Sequence, residues 1–166
     1  MKNPILIINT GGTFNKKYDR VKGELVMDTE ASALKELSAH WLCKLEIINI
    51  IGKDSLEMTN HDRLELLATI HQSQYNNILI VHGTDTMDLT AEYLADADIE
   101  KKIVLTGAMV PYSISAVEAT ANFASAYGFL QAKAEEGVYI AMNGAVAPYD
   151  TIGKNRQEGR FELRSR

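Results

Sequence analysis

The chain has 166 residues, 46% of them hydrophobic and 23% charged, which is enough apolar content to bury one core and too little charge for extensive disorder. Its net charge of −5 excludes a general basic surface for nucleic acid or for an anionic membrane. Cys43 is the only cysteine, so no intrachain disulfide can form, and beside an apolar run it reads as a small buried hydrophobe.

Ile5-Leu6-Ile7-Ile8 reads as a first strand. It is far too short for a signal-peptide core or a membrane span, which makes the cytoplasm the default location. It runs into Asn9-Thr10-Gly11-Gly12-Thr13, where two glycines permit backbone conformations closed to other residues and let main chain approach a ligand. Residues 14–28 read as a polar, irregular loop with a turn at Lys22-Gly23, and a loop of that length after a strand suits a lid or a binding segment. Tyr18 lies in it; taken alone, it rests on its own surface as readily as it serves a site. Thr29 to Ala39 carries Ala33, Leu34 and Leu37 at helical spacing. Leu45 to Ile51 is a second, β-branched strand that ends in Gly52-Lys53-Asp54-Ser55. Thr59 with Asp62 resembles a capping box, and Leu64, Leu67 and Ile70 then mark one face of a helix.

Asn77 to Val81 is the third strand, and His82-Gly83-Thr84-Asp85-Thr86 follows it. Hydroxyls and a carboxylate there crowd the start of a helix expected from about Asp85 to Ala97. A helix N-terminus offers free N–H groups and partial positive charge, which suits an anionic substrate group or a developing oxyanion. The plainer alternative is that Thr84 or Asp85 only caps the helix. Ile103-Val104-Leu105 is a fourth strand, closing in Thr106-Gly107-Ala108-Met109. Ser115 to Ala134 opens on a Ser115/Glu118 capping pair and is rich in alanine, with Phe123, Tyr127, Phe129 and Leu130, so it is buried in the domain or against another subunit. Val138 to Met142 is the fifth strand. Asn143-Gly144 and an irregular stretch containing Lys154 come next, and Lys154, Arg156, Arg160, Arg164 and Arg166 against Glu158 and Glu162 read as a solvated tail.

Strands alternating with helices predict a three-layer α/β fold, a parallel sheet of about five strands with flanking helices and right-handed crossovers, Rossmann- or flavodoxin-like, in one domain over 1–166. Ligands in such sheets bind outside the carboxyl ends of the strands, where all the Gly-marked polar segments fall.

Thr10-Gly11-Gly12-Thr13 and His82-Gly83-Thr84-Asp85-Thr86 together resemble the two signature motifs of bacterial-type L-asparaginases. The resemblance continues through Asp54-Ser55-Leu56-Glu57-Met58-Thr59, through Gly107-Ala108-Met109-Val110-Pro111, and through Met142-Asn143 with Lys154 beyond. It corresponds to the N-terminal domain of the asparaginase/glutaminase family, whose members are about twice this length. The expectation is a short, single-domain member without the C-terminal domain.

The resemblance implies an amidohydrolase that converts L-asparagine and water to L-aspartate and ammonia through a threonyl acyl-enzyme, with no metal or organic cofactor. L-glutamine is within reach as a second substrate, since one methylene is worth only about 1–3 kcal/mol of discrimination. Thr13 matches the nucleophile and Tyr18 the tyrosine that takes its proton. Thr84 and Lys154 match the family's other hydroxyl–amine pair, with Asp85 as third member. A lysine accepts protons only if burial or a neighbouring charge lowers its pKa, so Lys154 is expected to be partly desolvated. Asp85 also matches the partner of the substrate α-ammonium, Ser55 the hydroxyl at the α-carboxylate, the Thr84 N–H an oxyanion donor, and Ala108 the lining at the amide end. His82 matches a structural residue at a strand end. His40, His61 and His71 lie in helical patterns without ligand spacing, so no metal site is expected.

Two positions depart from the family's pattern: Leu56 stands where many members carry a polar residue on the substrate carboxylate, and Val110 where an arginine is frequent. Long members complete the Thr–Tyr site with an acidic residue from a neighbouring subunit's C-terminal domain, so a site lacking it is expected to be more open. Two other classes compete: a non-catalytic module that binds asparagine or aspartate, and an ammonia-supplying subunit of a tRNA-dependent amidotransferase. The acidic balance and the lack of an appended tRNA-binding segment weigh against the latter. The expected partners are a small-molecule substrate and other copies of the chain, as a dimer or tetramer, with no nucleic acid and no membrane.

Overall fold

The computed structural model describes residues 3–132 and 135–165. The predicted apolar runs form β1 (Ile5–Gly11), β4 (Glu46–Lys53), β5 (Asn77–Val81), β6 (Lys102–Thr106) and β7 (Gly137–Met142). Between β1 and β4 lie two short strands, β2 (Lys16–Asp19) and β3 (Glu24–Met27), and after β7 come β8 (Ala145–Pro148), β9 (Ile152–Asn155) and β10 (Arg160–Leu163). The helices are α1 (Ser32–Trp41), α2 (Asn60–Gln72), α3 (Met87–Asp96) and α4 (Ala116–Gln131). No described helix is long and apolar enough to cross a membrane.

The central sheet has the order β4-β1-β5-β6-β7-β8. Its first five strands are parallel, and β8 returns antiparallel beside β7. Counting the parallel strands alone, the order is 2-1-3-4-5, the flavodoxin type, in which the crossover direction reverses between β1 and β5. The two motif segments leave the sheet at that reversal.

Alternation along the strands sorts their side chains onto two covered faces. Ile5, Ile7, Leu79 and Val81 meet Leu34, Leu37, Phe123 and Leu130 of α1 and α4. Leu6, Ile8, Ile78 and Ile80 meet Leu66, Ile70, Ala91 and Leu94 of α2 and α3. Helices on both faces leave all five residues of β5 buried, which is why Ile78 to Val81 is a continuous apolar run.

Several expectations change. Residues 14–28 are not irregular: β2 and β3 pair as an antiparallel hairpin whose turn is closed by Gly23 N–H on the Asp19 carbonyl and by the Asp19 carboxylate on Val21 and Lys22. Its strands are four residues each and partly exposed, and Leu25-Val26-Met27 is too short and unbroken to show an apolar alternation. The stretch after Asn143 holds β8 and a β9–β10 hairpin, so the basic run is an ordered ribbon, with Arg166 outside the described residues. In α2 the capping box forms, but the buried face is Arg63, Leu66 and Ile70, while Leu64 is half exposed. The expected helix from Ser115 to Ala134 ends at Gln131, and Ala134 lies outside the described residues. Ser115 makes no side-chain cap there, and the Glu118 carboxylate accepts the Met109 and Val110 N–H groups instead of returning to Ser115. Helix α3 begins at Met87, which leaves Thr84 and Asp85 in the preceding turn. Cys43 is half-buried, with Sγ 3.7 Å from the Tyr127 hydroxyl.

Candidate active site

The floor of the site is made where strand ends touch through their backbones. Gly12 has φ 78° and ψ 175°, a conformation closed to side chains, and a Cβ there would lie 2.5 Å from the Gly83 nitrogen. A Cβ on Gly83 would lie 2.7 Å from Ser55 Cβ. Thr13 and Thr84 are each the next residue after this Gly12–Gly83 contact, so the two motifs leave it side by side.

Thr84 is buried, and its Oγ1 accepts a hydrogen bond from Lys154 Nζ at 2.9 Å. The same ammonium donates to Asp85 Oδ1 at 2.8 Å. The Lys154 side chain is only 13% exposed, so the expected desolvation is present. Arg156 adds a second cation: Nη1 donates to Asp85 Oδ1 at 2.8 Å and Nη2 to the Asp85 carbonyl at 2.9 Å. The Lys154 hydrogen bond, helped by Arg156, holds the Asp85 carboxyl below the ordinary aspartate range despite its partial burial. A cavity of about 160 Å³ opens here, lined by Thr84, Asp85, Asp88, Lys154, Arg156 and Phe161 together with Arg164. That is below the roughly 300 Å³ of drug-sized pockets and suits a ligand of few heavy atoms.

Ser55 is buried against Gly83, and its Oγ accepts the Thr86 N–H at 3.1 Å while its carbonyl accepts the Thr86 hydroxyl at 2.8 Å. Arg63, reaching from α2, donates to Thr86 Oγ1 and to Thr90 Oγ1. His82 completes this layer. The Gly83 carbonyl, 2.7 Å from Nδ1, can only accept, so Nδ1 carries the proton and Nε2, 2.8 Å from Thr90 Oγ1, accepts from that hydroxyl. His82 is fully buried, and burial pushes it from 6.5 down to about 4. The unfolded chain therefore takes up this proton before the folded chain does, and stability falls as pH drops through that window. Between neutral pH and about pH 5, urea unfolding should show a loss of about 2 kcal/mol, and His82→Gln should flatten that slope; an equally steep slope in the variant would assign it to other groups.

The hairpin bearing Lys154 hangs from the sheet through two asparagines. Asn122 of α4, also buried, donates from Nδ2 to the Gly107 carbonyl at 2.9 Å and accepts the Asn143 N–H at 3.0 Å. Asn143, with φ 53°, accepts the Phe161 N–H at 2.7 Å, and Phe161 is the cross-strand partner of Lys154. One turn earlier on α4, the Glu118 carboxylate accepts the Met109 and Val110 N–H groups and fixes the turn after β6. Beneath the hairpin, Arg164 lies flat on Gly153, where a Cβ would come within 2.3 Å of its Cζ, and donates to the Lys154 carbonyl.

The remaining predicted residues are placed as follows. Thr13 opens a short 3₁₀ turn after β1 and is partly exposed. Asn15 pins that turn by donating to the Gly11 carbonyl and to Asn9 Oδ1. Tyr18 lies on β2 and is 61% exposed; its hydroxyl is near Gly23, and among the described residues it makes no hydrogen bond to Thr13. Lys16, at the base of the same hairpin, reaches Asp54 beside Ser55 at 2.9 Å. Ala108 is buried with the α4-side core. Thr84, Asp85 and Lys154 are thus brought into one cluster, with Ser55 one layer below. Arg156 and Asn122 are given no site role by the sequence, Glu118 reads there as a capping partner, and Asn143 enters only within the Met142-Asn143 match; the Glu118/Asn122 spacing of four residues on one helix face is a further local signal.

Comparison with known proteins follows the same lines. The family described as "Asparaginase, N-terminal" matches residues 4–164. A probable periplasmic L-asparaginase of Haemophilus influenzae is 33% identical over 155 residues, covering 86% of this chain and 43% of that protein. One component of the glutamyl-tRNA(Gln) amidotransferase of Methanococcus maripaludis is 32% identical over 170 residues, covering 91% of this chain and 38% of that protein. The crystal structure of a probable cytoplasmic L-asparaginase from Campylobacter jejuni superimposes with a TM-score of 0.78 at 25% identity, covering 98% of this chain and 53% of that one. The chain thus spans about half the length of these proteins or less.

Proposed function

The chain belongs to the asparaginase N-terminal family, and from that premise we propose that it hydrolyses the side-chain amide of L-asparagine to L-aspartate and ammonia. The observation that carries this reading is the Lys154 ammonium held between Thr84 Oγ1 and Asp85 Oδ1 at the carboxyl ends of the parallel strands. Amide hydrolysis needs a nucleophile, a proton for the departing nitrogen, and a counter-charge for the substrate's ammonium. Thr13 supplies the first. Its Oγ attacks the amide carbon and gives up its proton, the C–N bond breaks as nitrogen takes a proton and leaves as ammonia, and water then cleaves the threonyl ester.

Lys154, bonded to Thr84, is the amine that exchanges a proton with that hydroxyl, and Asp85 stays ionised to hold both it and the substrate's α-ammonium. Ser55 with the Thr86 turn serves the α-carboxylate side, the Thr84 N–H the oxyanion, and Ala108 the wall at the amide end. Tyr18 takes the Thr13 proton only in an arrangement where the β2–β3 hairpin has folded over the crevice. The exposed Ile114 and Val117 at the start of α4 support association with further copies of the chain.

The test is ammonia release from purified protein with L-asparagine, L-glutamine and D-asparagine, run beside Asp85→Ala. L-asparagine should be turned over, and Asp85→Ala should weaken L-aspartate binding by roughly tenfold or more, since it removes a charge-assisted bond worth about 1.5–3 kcal/mol. Binding of L-asparagine without ammonia release would instead mark a binding module. The amidotransferase match supports a second reading, in which ammonia is passed to a partner protein; turnover that appears only when a second protein co-purifies would favour it.

A further inference from the structure

Resting on the amidohydrolase reading, we propose that Arg156 is a competing cation seated where the substrate's α-ammonium must go, so that it sets how the site discriminates between ligands with and without that ammonium. Both bonds of Arg156 end on Asp85, one on the carboxylate oxygen that Lys154 also uses and one on the main-chain carbonyl. The two cations are not equivalent. Lys154 is 13% exposed and is tied to Thr84 as well, whereas Arg156 is 62% exposed, so Arg156 is the one free to leave.

The charges lining the cavity give the same result. Asp85 and Asp88 face Lys154, Arg156 and Arg164, an excess of one positive charge. A carboxylate is attracted into such a cavity, while an ammonium is repelled until Arg156 swings out and uncovers Asp85. Arg156 follows Lys154 by two residues, in the turn just after β9, so a short movement of its long side chain suffices. Affinity for α-amino acids is therefore held down, and that for the same anions without the amine is not.

The experiment compares binding of L-aspartate and of succinate, the same dicarboxylate without its amine, by titration calorimetry on the wild type, Arg156→Ala and Arg156→Lys. In Arg156→Ala, L-aspartate should bind about two- to fivefold tighter, the range expected for freeing an exposed ion pair. Succinate should bind equally well or more weakly, so the aspartate-to-succinate ratio rises. Arg156→Lys, which keeps the charge and loses the second prong, should fall between. A ratio that does not move, or L-aspartate weakened as much as succinate, overturns the proposal, because Arg156 would then only gather anions. Ammonia release with the KM for L-asparagine unchanged in Arg156→Ala overturns the proposal alone. A wild type that neither releases ammonia nor binds L-aspartate overturns the amidohydrolase reading and the proposal with it.

Discussion

Thr13→Ala is expected to lower ammonia release from L-asparagine by about a thousandfold or more while L-aspartate binding stays within a few fold of wild type. The variant is informative because of where Thr13 stands. Its backbone conformation is fixed by Gly12 and Asn15, and its side chain holds no hydrogen bond among the described residues, so truncation costs the fold little. Thr84 is a poorer probe, since deleting its hydroxyl would also strip an acceptor from a nearly buried ammonium. Thr13→Ser keeps the nucleophile and should restore part of the rate. If Thr13→Ala turns over normally, the attacking hydroxyl is not Thr13, and Thr84 takes its place.

The second large effect is on stability. Gly12→Ala should cost about 3–5 kcal/mol in urea unfolding, from two terms that act at once: a strained backbone of about 1–3 kcal/mol and overpacking of similar size. The overpacking has no outlet, because the atom in the way is the backbone nitrogen of Gly83, 2.5 Å from the new Cβ, and Gly83 is itself pressed against Ser55. Gly144 separates the terms: its φ is 81°, yet nothing lies within 4 Å of a Cβ there. Gly144→Ala should therefore show the backbone term alone, about 1 kcal/mol. Equal losses in the two variants would mean that the contact between the two motifs contributes nothing.

The features legible in the sequence were those written as local pattern. Runs such as Ile78–Val81 are strands because both faces of the sheet are covered, and the Thr59/Asp62 pair caps α2 as its spacing requires. Glu118 shows why the same pattern can fail: three residues after Ser115 it looks like a capping partner, but the Met109 and Val110 N–H groups lie nearer its carboxylate. Arg63 is hidden for a related reason, since charge suggests a solvent face, while the hydroxyls of Thr86 and Thr90, 23 and 27 residues away, offset the cost of its burial. The β2–β3 and β9–β10 ribbons are only four residues a strand, and Arg160 to Leu163 alone alternates polar with apolar, too short a run to stand out in a basic stretch. At the site, Thr84 and Asp85 are marked locally as polar groups at a strand end, but Lys154 is identifiable only through the family resemblance, because nothing local marks a lysine 70 residues on as the partner of a threonine. Arg156 was hidden by its company, in a basic stretch that reads as solvated.

That separation along the chain bears on how the site comes into being. The β1–β5 pairing at the centre of the sheet already joins segments 72 residues apart, and the Thr84–Lys154 and Asp85–Arg156 contacts, 70 and 71 residues apart, depend in addition on the last hairpin docking through Asn143. Because the hairpin docks on the end of β7 and on Asn122 of α4, those elements must be in place before the contacts can form. Until the hairpin docks, Asp85 stands at the edge of a nearly formed sheet as an unpaired anion, and its neutralisation coincides with completion of the fold. The Thr84–Lys154–Asp85 cluster is thus completed only when the last hairpin docks, and partly folded chains, sheet included, lack it.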